Sequence, residues 1–228
     1  RNEREVGHAL AQSGVPRDEV FITTKLWNSD QGYDTTLAAF DKSMERLGLE
    51  YLDLYLIHWP MPKTNKFVDT FKAFAELREQ GRIRSIGVSN FEPEHLRTLI
   101  DATGIVPTVN QIELHPLLQQ QELREAHAQL GIATEAWSPL GQGSLLSNST
   151  VTTVAEAHGK KTPAQVLIRW HIQLGNIVIP KSVTPRENRE QFRRVRFRVE
   201  RAGHGVHLVA RRRHSDGSRP QKFRVHSR

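Results

Sequence analysis

The sequence has no cysteine among its 228 residues. It therefore forms no disulfide and no thiolate metal site, as is usual in a reducing cytosol. No apolar run approaches the roughly 18 residues of a membrane span, and the opening RNEREVGHAL is too polar for a signal peptide. We expect a cytoplasmic protein without a membrane partner, built as one α/β domain or two small ones.

Acidic residues are scarce in the last fifth of the chain. The whole sequence carries 32 Lys and Arg against 25 Asp and Glu, a net charge of +7. Residues 186–228 hold 14 basic and four acidic residues, whereas residues 1–185 hold 18 and 21. The prediction of a nucleic-acid partner therefore rests on this basic tail alone. The tail lacks amphipathic periodicity and has few aromatics for base stacking, so nucleic-acid binding is only a minor alternative.

The glycine-rich GxGxxG motif of dinucleotide-binding sheets is also missing. Instead, β-rich runs alternate with helical patterns over residues 35–49, 67–81, 92–104 and 118–131. The predicted strand centres are Thr23, Leu56, Gly87, Ile112, Glu135 and Ile179. Their spacings, 23 to 44 residues, are typical of βαβ units with parallel strands. Without a Pro/Ser linker, six such units favour an α/β barrel over a doubly wound sheet.

Functional side chains of a barrel lie at the carboxyl ends of its strands. There the sequence places Lys25, His58, Ser89, Asn90, Gln111, Glu113, Trp137, Ser138, Lys181 and Ser182. Singly, each has a structural explanation, such as a solvated lysine, a packed histidine or a helix cap. Together they favour one pocket suited to a carbonyl group and a flat ring.

A different chemistry for the same strand ends is metal-dependent hydrolysis through His58, Glu113 and His115. The other strand ends offer no further carboxylate or imidazole ligands, which weakens this alternative. We therefore expect no metal site.

The runs VFITTKLW, YLDLYLIHWP, GRIRSIGVSNF, VNQIELHP, EAWSPLGQG and IVIPKSVTP occur in order over residues 1–185. In this order and spacing they resemble the aldo-keto reductases, closest to the bacterial diketogluconate reductase group. The resemblance implies a parallel (β/α)8 TIM barrel, incomplete here because only strands 3 to 8 match. It also implies that residues 1–185 form a domain for NADPH-dependent reduction of aldehydes or ketones to alcohols. A small carbonyl compound would be the substrate, and the full-length protein a monomer.

The resemblance also implies a role for each candidate residue. Lys25 would lower the pKa of a tyrosine that protonates the carbonyl oxygen, and His58 would orient the substrate. Trp27 and Trp59 would line the substrate pocket. The cofactor would be held by Ser89, Asn90 and Gln111 at the nicotinamide carboxamide, Trp137 against the ring, Ser138, Pro139, Leu140 and Gly141 at the pyrophosphate, and Lys181 and Ser182 at the 2′-phosphate.

The beginning of the sequence departs from the family pattern. In sequences of the family, this region contains a tyrosine, one further residue and then Asn-Glu. Here Asn2 and Glu3 follow Arg1, so the family tyrosine would precede Arg1. The tyrosines present stand at other positions. We therefore expect the chain as written to be inactive and poorly soluble, and a degenerate, non-catalytic barrel is the alternative function.

The basic tail departs as well. Glu187 stands where the family has an arginine for the 2′-phosphate, before a pattern like NFxVFDFELS. Permitted codons from Arg186 onward, read in a shifted frame, can give this family-like ending. We therefore expect a one-nucleotide insertion at the Pro185/Arg186 junction and a disordered or non-native segment over residues 186–228.

Overall fold

The computed structural model describes residues 2–159, 161–185 and 189. Within these residues the strands are β1 Thr23–Leu26, β2 Leu52–Ile57, β3 Ile83–Ser89, β4 Val109–Glu113, β5 Ala133–Trp137 and β6 Ile177–Val178. The α-helices are α1 Glu3–Ser13, α2 Tyr33–Leu47, α3 Phe67–Glu79, α4 Pro93–Thr103, α5 Gln121–Leu130, α6 Ser149–Ala157 and α7 Pro163–Gln173. The six strands form one sheet in chain order, and the pairs β1–β2, β2–β3, β3–β4 and β5–β6 are parallel. The predicted α/β class with parallel strands is thus confirmed.

Most predicted elements coincide with observed ones. Five of the six strand centres lie inside strands, whereas Ile179 follows the end of β6 by one residue. The long interval between the fifth and sixth centres contains α6 and α7, which the periodicity analysis did not assign. None of the described helices is long and apolar enough to cross a membrane. The predictions for residues 186–228 lie outside the described residues, apart from Arg189.

The first of two compact units comprises Arg1–Gln111 and Glu125–Ala133. Every residue of β2 is buried, and the Tyr55 ring packs against Phe40 and Phe74 at 5.4 and 4.4 Å between centroids. In β3, a side chain at Gly87 would place a Cβ 2.7 Å from the Val109 carbonyl oxygen. Glycine at this position therefore allows β3 and β4 to approach closely.

A buried charge cluster lies at the amino ends of the strands in this unit. Asp53 is only 2% exposed and pairs with Arg17 at 2.8 Å and Arg84 at 3.0 Å. The Ile22 backbone N–H also donates to Asp53, at 2.8 Å. Both guanidinium groups lie over the Tyr51 ring, at 3.9 and 4.2 Å from its centroid. The buried carboxylate is therefore compensated by two cations and a backbone donor.

The second unit comprises Ile112–Arg124 and Thr134–Arg228. Its core consists of Leu145, Val151, Val154, Ala155, Val166, Leu167 and Trp170, with Leu140 and Leu174 packed against it. Helix α7 begins with a capping box, because Thr162 accepts from the Gln165 backbone while the Gln165 side chain accepts from the Thr162 backbone. The core thus fixes α7 beneath the loop that follows β5.

Candidate active site

Lys25 and His58 line one cleft in the first unit. Lys25 is the third residue of β1, and His58 directly follows β2. The register pairs Lys25 with Leu56, so both basic side chains stand at the carboxyl ends of neighbouring strands. The cleft has a volume of about 900 Å³, and Trp27, Asp30 and Tyr55 are among its other walls. The predicted catalytic pair is therefore brought together.

The ionisation of His58 responds to this neighbourhood. Burial lowers the pKa of His58 below its ordinary value, and repulsion from the Lys25 cation lowers this pKa further. The Nδ1 atom of His58 is buried and has no hydrogen-bond partner among the described residues. The imidazole is therefore neutral at pH 7 and can donate one hydrogen bond without adding a second positive charge beside Lys25.

The backbone at His58 and Trp59 is held by hydrogen bonds from neighbouring segments. The Asn90 side chain donates to the His58 carbonyl at 2.9 Å, and the Gln31 side chain donates to the Trp59 carbonyl at 2.7 Å. The Trp27 and His58 rings lie 4.8 Å apart. Trp27, which lines the cleft, and Trp59 both keep over 40% of their surface exposed.

Glu3 also lines the cleft, although the sequence motifs did not predict it as a site residue. The Thr24 hydroxyl donates to its carboxylate at 2.7 Å, and Arg46 forms an ion pair with it at 2.6 Å. Burial alone would raise the pKa of Glu3, but the bonds from Thr24 and Arg46 hold the pKa below its ordinary value. Glu3 is therefore a carboxylate at neutral pH and ties α1 to β1 beside Lys25. The bond joins residues 21 positions apart, so local periodicity gave no signal of it.

The three residues predicted at the carboxamide meet where β3 and β4 end. The Ser89 hydroxyl and the Asn90 backbone N–H both donate to the Gln111 carbonyl, each at 2.9 Å. The Asn90 side chain also donates to the Ser89 hydroxyl at 3.0 Å. Asn90 has a positive φ of 61°, a conformation that asparagine tolerates better than most residues. Through its bond to the His58 carbonyl, Asn90 links this group to the Lys25 and His58 cleft.

The predicted pyrophosphate loop lies in the second unit. Trp137 ends β5, and Ser138, Gly141, Gln142 and Gly143 all have positive φ angles. The Gly141 N–H donates to the Ser138 carbonyl at 2.8 Å, and Leu140 packs on the core of this unit. The result is a tight left-handed loop, a form that can present several backbone N–H groups to an anion.

The buried His171 side chain supports this loop from α7. Its Nε2 donates to the Pro139 carbonyl at 3.2 Å, and its Nδ1 accepts from Asn176 at 3.4 Å. Burial lowers the pKa of His171 to about 4, although the bond to Pro139 opposes the shift. His171 is therefore neutral at pH 7, and its single N–H serves the loop.

Lys181 and Ser182 follow β6 in the same unit. Lys181 is exposed, and the Ser182 hydroxyl donates to the Thr184 carbonyl at 3.2 Å. Seven predicted site residues thus belong to the first unit, whereas Trp137 to Gly141, Lys181 and Ser182 belong to the second. Glu187, the predicted departure from the phosphate-binding arginine, lies outside the described residues.

Each of the three tyrosines of the sequence bonds to or packs against other side chains of the fold. The Tyr33 hydroxyl donates to Glu76 on α3, and the Tyr51 ring is in contact with the Arg17 and Arg84 guanidinium groups. Tyr55 lies in the aromatic core, where burial raises its pKa far above the ordinary value. A phenol with a raised pKa is a weaker acid at neutral pH, so Tyr55 is poorly suited to protonate a carbonyl oxygen.

The ligands of the alternative metal site would be His58, Glu113 and His115. Over residues 2–159, 161–185 and 189, no three His, Asp or Glu side chains come together in a way that could hold a metal ion. His115 has Glu113 as a neighbour at 3.7 Å, which makes an ion pair only if the imidazole is protonated. Burial lowers the pKa of His115, so the protonated form is disfavoured.

Comparison with known proteins identifies the family. A family model described as the aldo/keto reductase family matches residues 1–201, and the chain belongs to this family. An aldo-keto reductase of Mycolicibacterium smegmatis (strain ATCC 700084 / mc(2)155) is 77% identical over 192 residues, covering 84% of this chain and 70% of the relative. The family predicted from the six motifs is confirmed.

Solved structures agree with this assignment. A mutant of Gox0644 in complex with NADPH is 55% identical, with a TM-score of 0.79 over 83% of this chain and 68% of that chain. A putative 2,5-diketo-D-gluconic acid reductase B is 33% identical, with a TM-score of 0.82 over 86% of this chain and 69% of its own. These likenesses support the predicted barrel class and the diketogluconate reductase group.

Proposed function

We propose that this chain provides the NADPH-binding and substrate-orienting framework of a carbonyl reductase that converts aldehydes or ketones to alcohols. The observation that carries the proposal is the bond from Asn90 to the His58 carbonyl. It joins the pair Lys25 and His58 to the polar group of Ser89, Asn90 and Gln111. A site that holds a nicotinamide beside a carbonyl needs both groups in one fixed arrangement.

Residues present in the chain match the parts of NADPH. Ser89, Asn90 and Gln111 offer the mixture of donors and acceptors that a carboxamide requires, and Trp137 offers a flat apolar surface for the ring. The left-handed loop at Ser138 to Gly141 suits the pyrophosphate. Lys181 and Ser182 suit a 2′-phosphate, since one brings a cation and the other a hydroxyl.

When bound, NADPH supplies the hydride that reduces the carbonyl carbon. His58, neutral because burial and Lys25 lower its pKa, donates a hydrogen bond to the carbonyl oxygen and orients it. Lys25 stabilises a neighbouring phenolate and so makes a tyrosine a better acid. Trp27 and Trp59 exclude water from the substrate and provide apolar walls.

We further propose that the polypeptide of these 228 residues binds NADPH but does not turn it over. Tyr33, Tyr51 and Tyr55 are held by Glu76, by two arginines and by the aromatic core, respectively. General acid catalysis contributes about 10²- to 10⁴-fold in rate, so its loss reduces turnover by that factor. A barrel that binds cofactor without catalysis is the second candidate function, and the positions of these tyrosines favour it.

A titration tests the cofactor part of this proposal. NADPH added to the purified chain should quench tryptophan emission saturably, and Gln111→Ala should weaken binding about tenfold by removing carboxamide contacts. Lys72→Ala, at an exposed surface pair, is the matched control and should leave affinity unchanged. Absence of saturable binding by the unmodified chain would refute the proposal.

We also propose a cytosolic location, a small carbonyl substrate and a monomeric state. The absence of cysteine agrees with a reducing compartment. The mildly acidic residues 1–185 give no electrostatic reason for nucleic-acid binding. Sedimentation at several concentrations tests the monomer, and a mass that grows with concentration would contradict it.

A further inference from the structure

Asn110 on β4 is fully buried next to Gln111, and neither the motifs nor the family resemblance gives it a role. Its side-chain amide faces the backbone of Phe91, the residue after Asn90. The amide nitrogen donates to the Phe91 carbonyl at 2.8 Å, and the amide oxygen accepts from the Phe91 N–H at 3.4 Å. Asn110 therefore makes a paired, two-bond contact with one peptide unit of the β3 to α4 connection.

His127 on α5 sets the orientation of this amide. It is also fully buried, and its Nε2 lies 2.9 Å from the Asn110 amide nitrogen. An amide nitrogen can only donate, so Nε2 is the unprotonated acceptor of a neutral imidazole. Rotating the Asn110 amide by half a turn would place its oxygen against both Nε2 and the Phe91 carbonyl. Only one orientation therefore satisfies all the buried groups.

The peptide that Asn110 holds lies directly beside the strained residue of the site. Asn90 has a φ of 61°, and residues in this region keep the conformation only where the surroundings impose it. On its amino side, Asn90 is fixed by its N–H bond to the Gln111 carbonyl. On its carboxyl side, it is fixed by the Asn110 contact with Phe91. Both anchors come from consecutive residues of β4.

We propose that Asn110, oriented by His127, is a positioning residue that sets the geometry of the carboxamide subsite formed by Ser89, Asn90 and Gln111. The inference rests on the proposed function, because it concerns the nicotinamide end of NADPH. Asn110 itself touches Phe91 and His127, and acts on the ligand through Asn90 and Gln111.

The test compares two ligands on the same protein. NADPH and its acetylpyridine analogue, in which an acetyl group replaces the carboxamide, are titrated into the full chain and its variants. The chain should prefer NADPH by about tenfold, since the analogue leaves a buried hydrogen-bonding partner unsatisfied. In Asn110→Ala this preference should fall to about twofold or less. Because each variant serves as its own reference, a general loss of stability or of adenine-end affinity cancels from the ratio.

His127 provides the matched pair of variants. His127→Leu removes the acceptor and should lose most of the preference, whereas His127→Gln retains an acceptor oxygen and should preserve it. These variants carry the test if Asn110→Ala does not fold. A preference unchanged in folded Asn110→Ala or His127→Leu, or equal weakening of both ligands, would overturn the positioning role.

Hydrogen exchange separates this inference from the proposed function. If the unmodified chain binds neither nucleotide, the proposed function fails before any variant is compared. Exchange of the amides of Asn90 and Phe91 in the ligand-free protein then decides the geometric claim. Both should exchange at least about tenfold faster in Asn110→Ala while those of α2 stay unchanged, and unchanged exchange at both would refute it.

Discussion

Buried polar groups are compensated differently at the two ends of strands β1 to β3. At the amino ends, Asp53 has two arginines and a backbone donor within 3.0 Å. At the carboxyl ends, burial and the neighbouring Lys25 cation lower the pKa of His58, so its imidazole is neutral at pH 7. There too, the buried Nδ1 of His58 lacks a hydrogen-bond partner among the described residues.

This difference separates stability from function along the same strands. Removing one member of a compensated charge cluster destabilises the folded state, and such a cluster offers little to a ligand. The buried Nδ1 of His58 and the left-handed backbone of Asn90 cost stability, and a bound ligand can recover that cost. Such a division is usual for parallel barrels, in which the carboxyl ends of the strands carry the chemistry.

The largest expected effect comes from adding a tyrosine at the carboxyl ends of the strands. Extending the chain before Arg1 with the tyrosine-bearing segment of the family should raise NADPH-dependent aldehyde reduction by about 10²- to 10⁴-fold. Steady-state absorbance of the nicotinamide measures the gain. The same extension with phenylalanine in place of that tyrosine is the control, and an equal gain with phenylalanine would contradict the roles of Lys25 and His58.

The next largest effect is expected from a substitution at the amino ends of the strands. Asp53→Ala leaves the Ile22 N–H and the Arg17 guanidinium without their buried partner and should lower the free energy of unfolding by about 1–3 kcal/mol. Urea unfolding measures this change. Asp41→Ala is matched, because Asp41 pairs with Arg82 at 2.7 Å but both groups are exposed. It should cost less than about 1 kcal/mol, and equal losses would show that burial does not distinguish the two sites.

Glu3 gives a smaller effect with a defined pH dependence. Glu3→Gln removes the charge that pairs with Arg46 and should cost about 0.5–1 kcal/mol at pH 7, because Arg46 is partly solvated. The pKa of Glu3 is lowered from 4.5, so its contribution is present above pH 4.5 and is lost as pH falls through the lower folded value. The difference between the two proteins should therefore shrink below pH 4.5. A difference that grows on acidification would contradict the assignment.

The smallest expected effect concerns the pKa of His58 in the cleft. Lys25→Met removes one cause of the lowered pKa of His58, so this pKa should rise by less than about one unit. It should stay below the ordinary 6.5, because burial is the larger cause. A titration of the His58 ring resonances by NMR measures the shift. Lys42→Met is the control, since Lys42 lines the same cleft but does not contribute to the lowered pKa. Equal shifts in both variants would contradict the specific role of Lys25.

Sequence patterns predicted the strands well because each buried strand is a short β-rich run. They also placed Lys25 and His58, since the carboxyl end of a strand is a position that can be read from the chain. The contacts of Asn110 with Phe91 and His127 join residues 17 to 19 positions apart, and those of Glu3 and Asp53 join residues 21 to 43 positions apart. Such pairings depend on tertiary packing, so no local period reveals them.

The most direct test of the account is one turnover of bound cofactor. The 228-residue chain is saturated with NADPH, mixed with a reactive aldehyde, and followed by nicotinamide absorbance. Bound NADPH should be oxidised at least about 10²-fold more slowly than in the chain extended with the tyrosine-bearing segment. A burst of oxidation equal in amount to the protein would contradict it, because it would show that the chain supplies its own general acid.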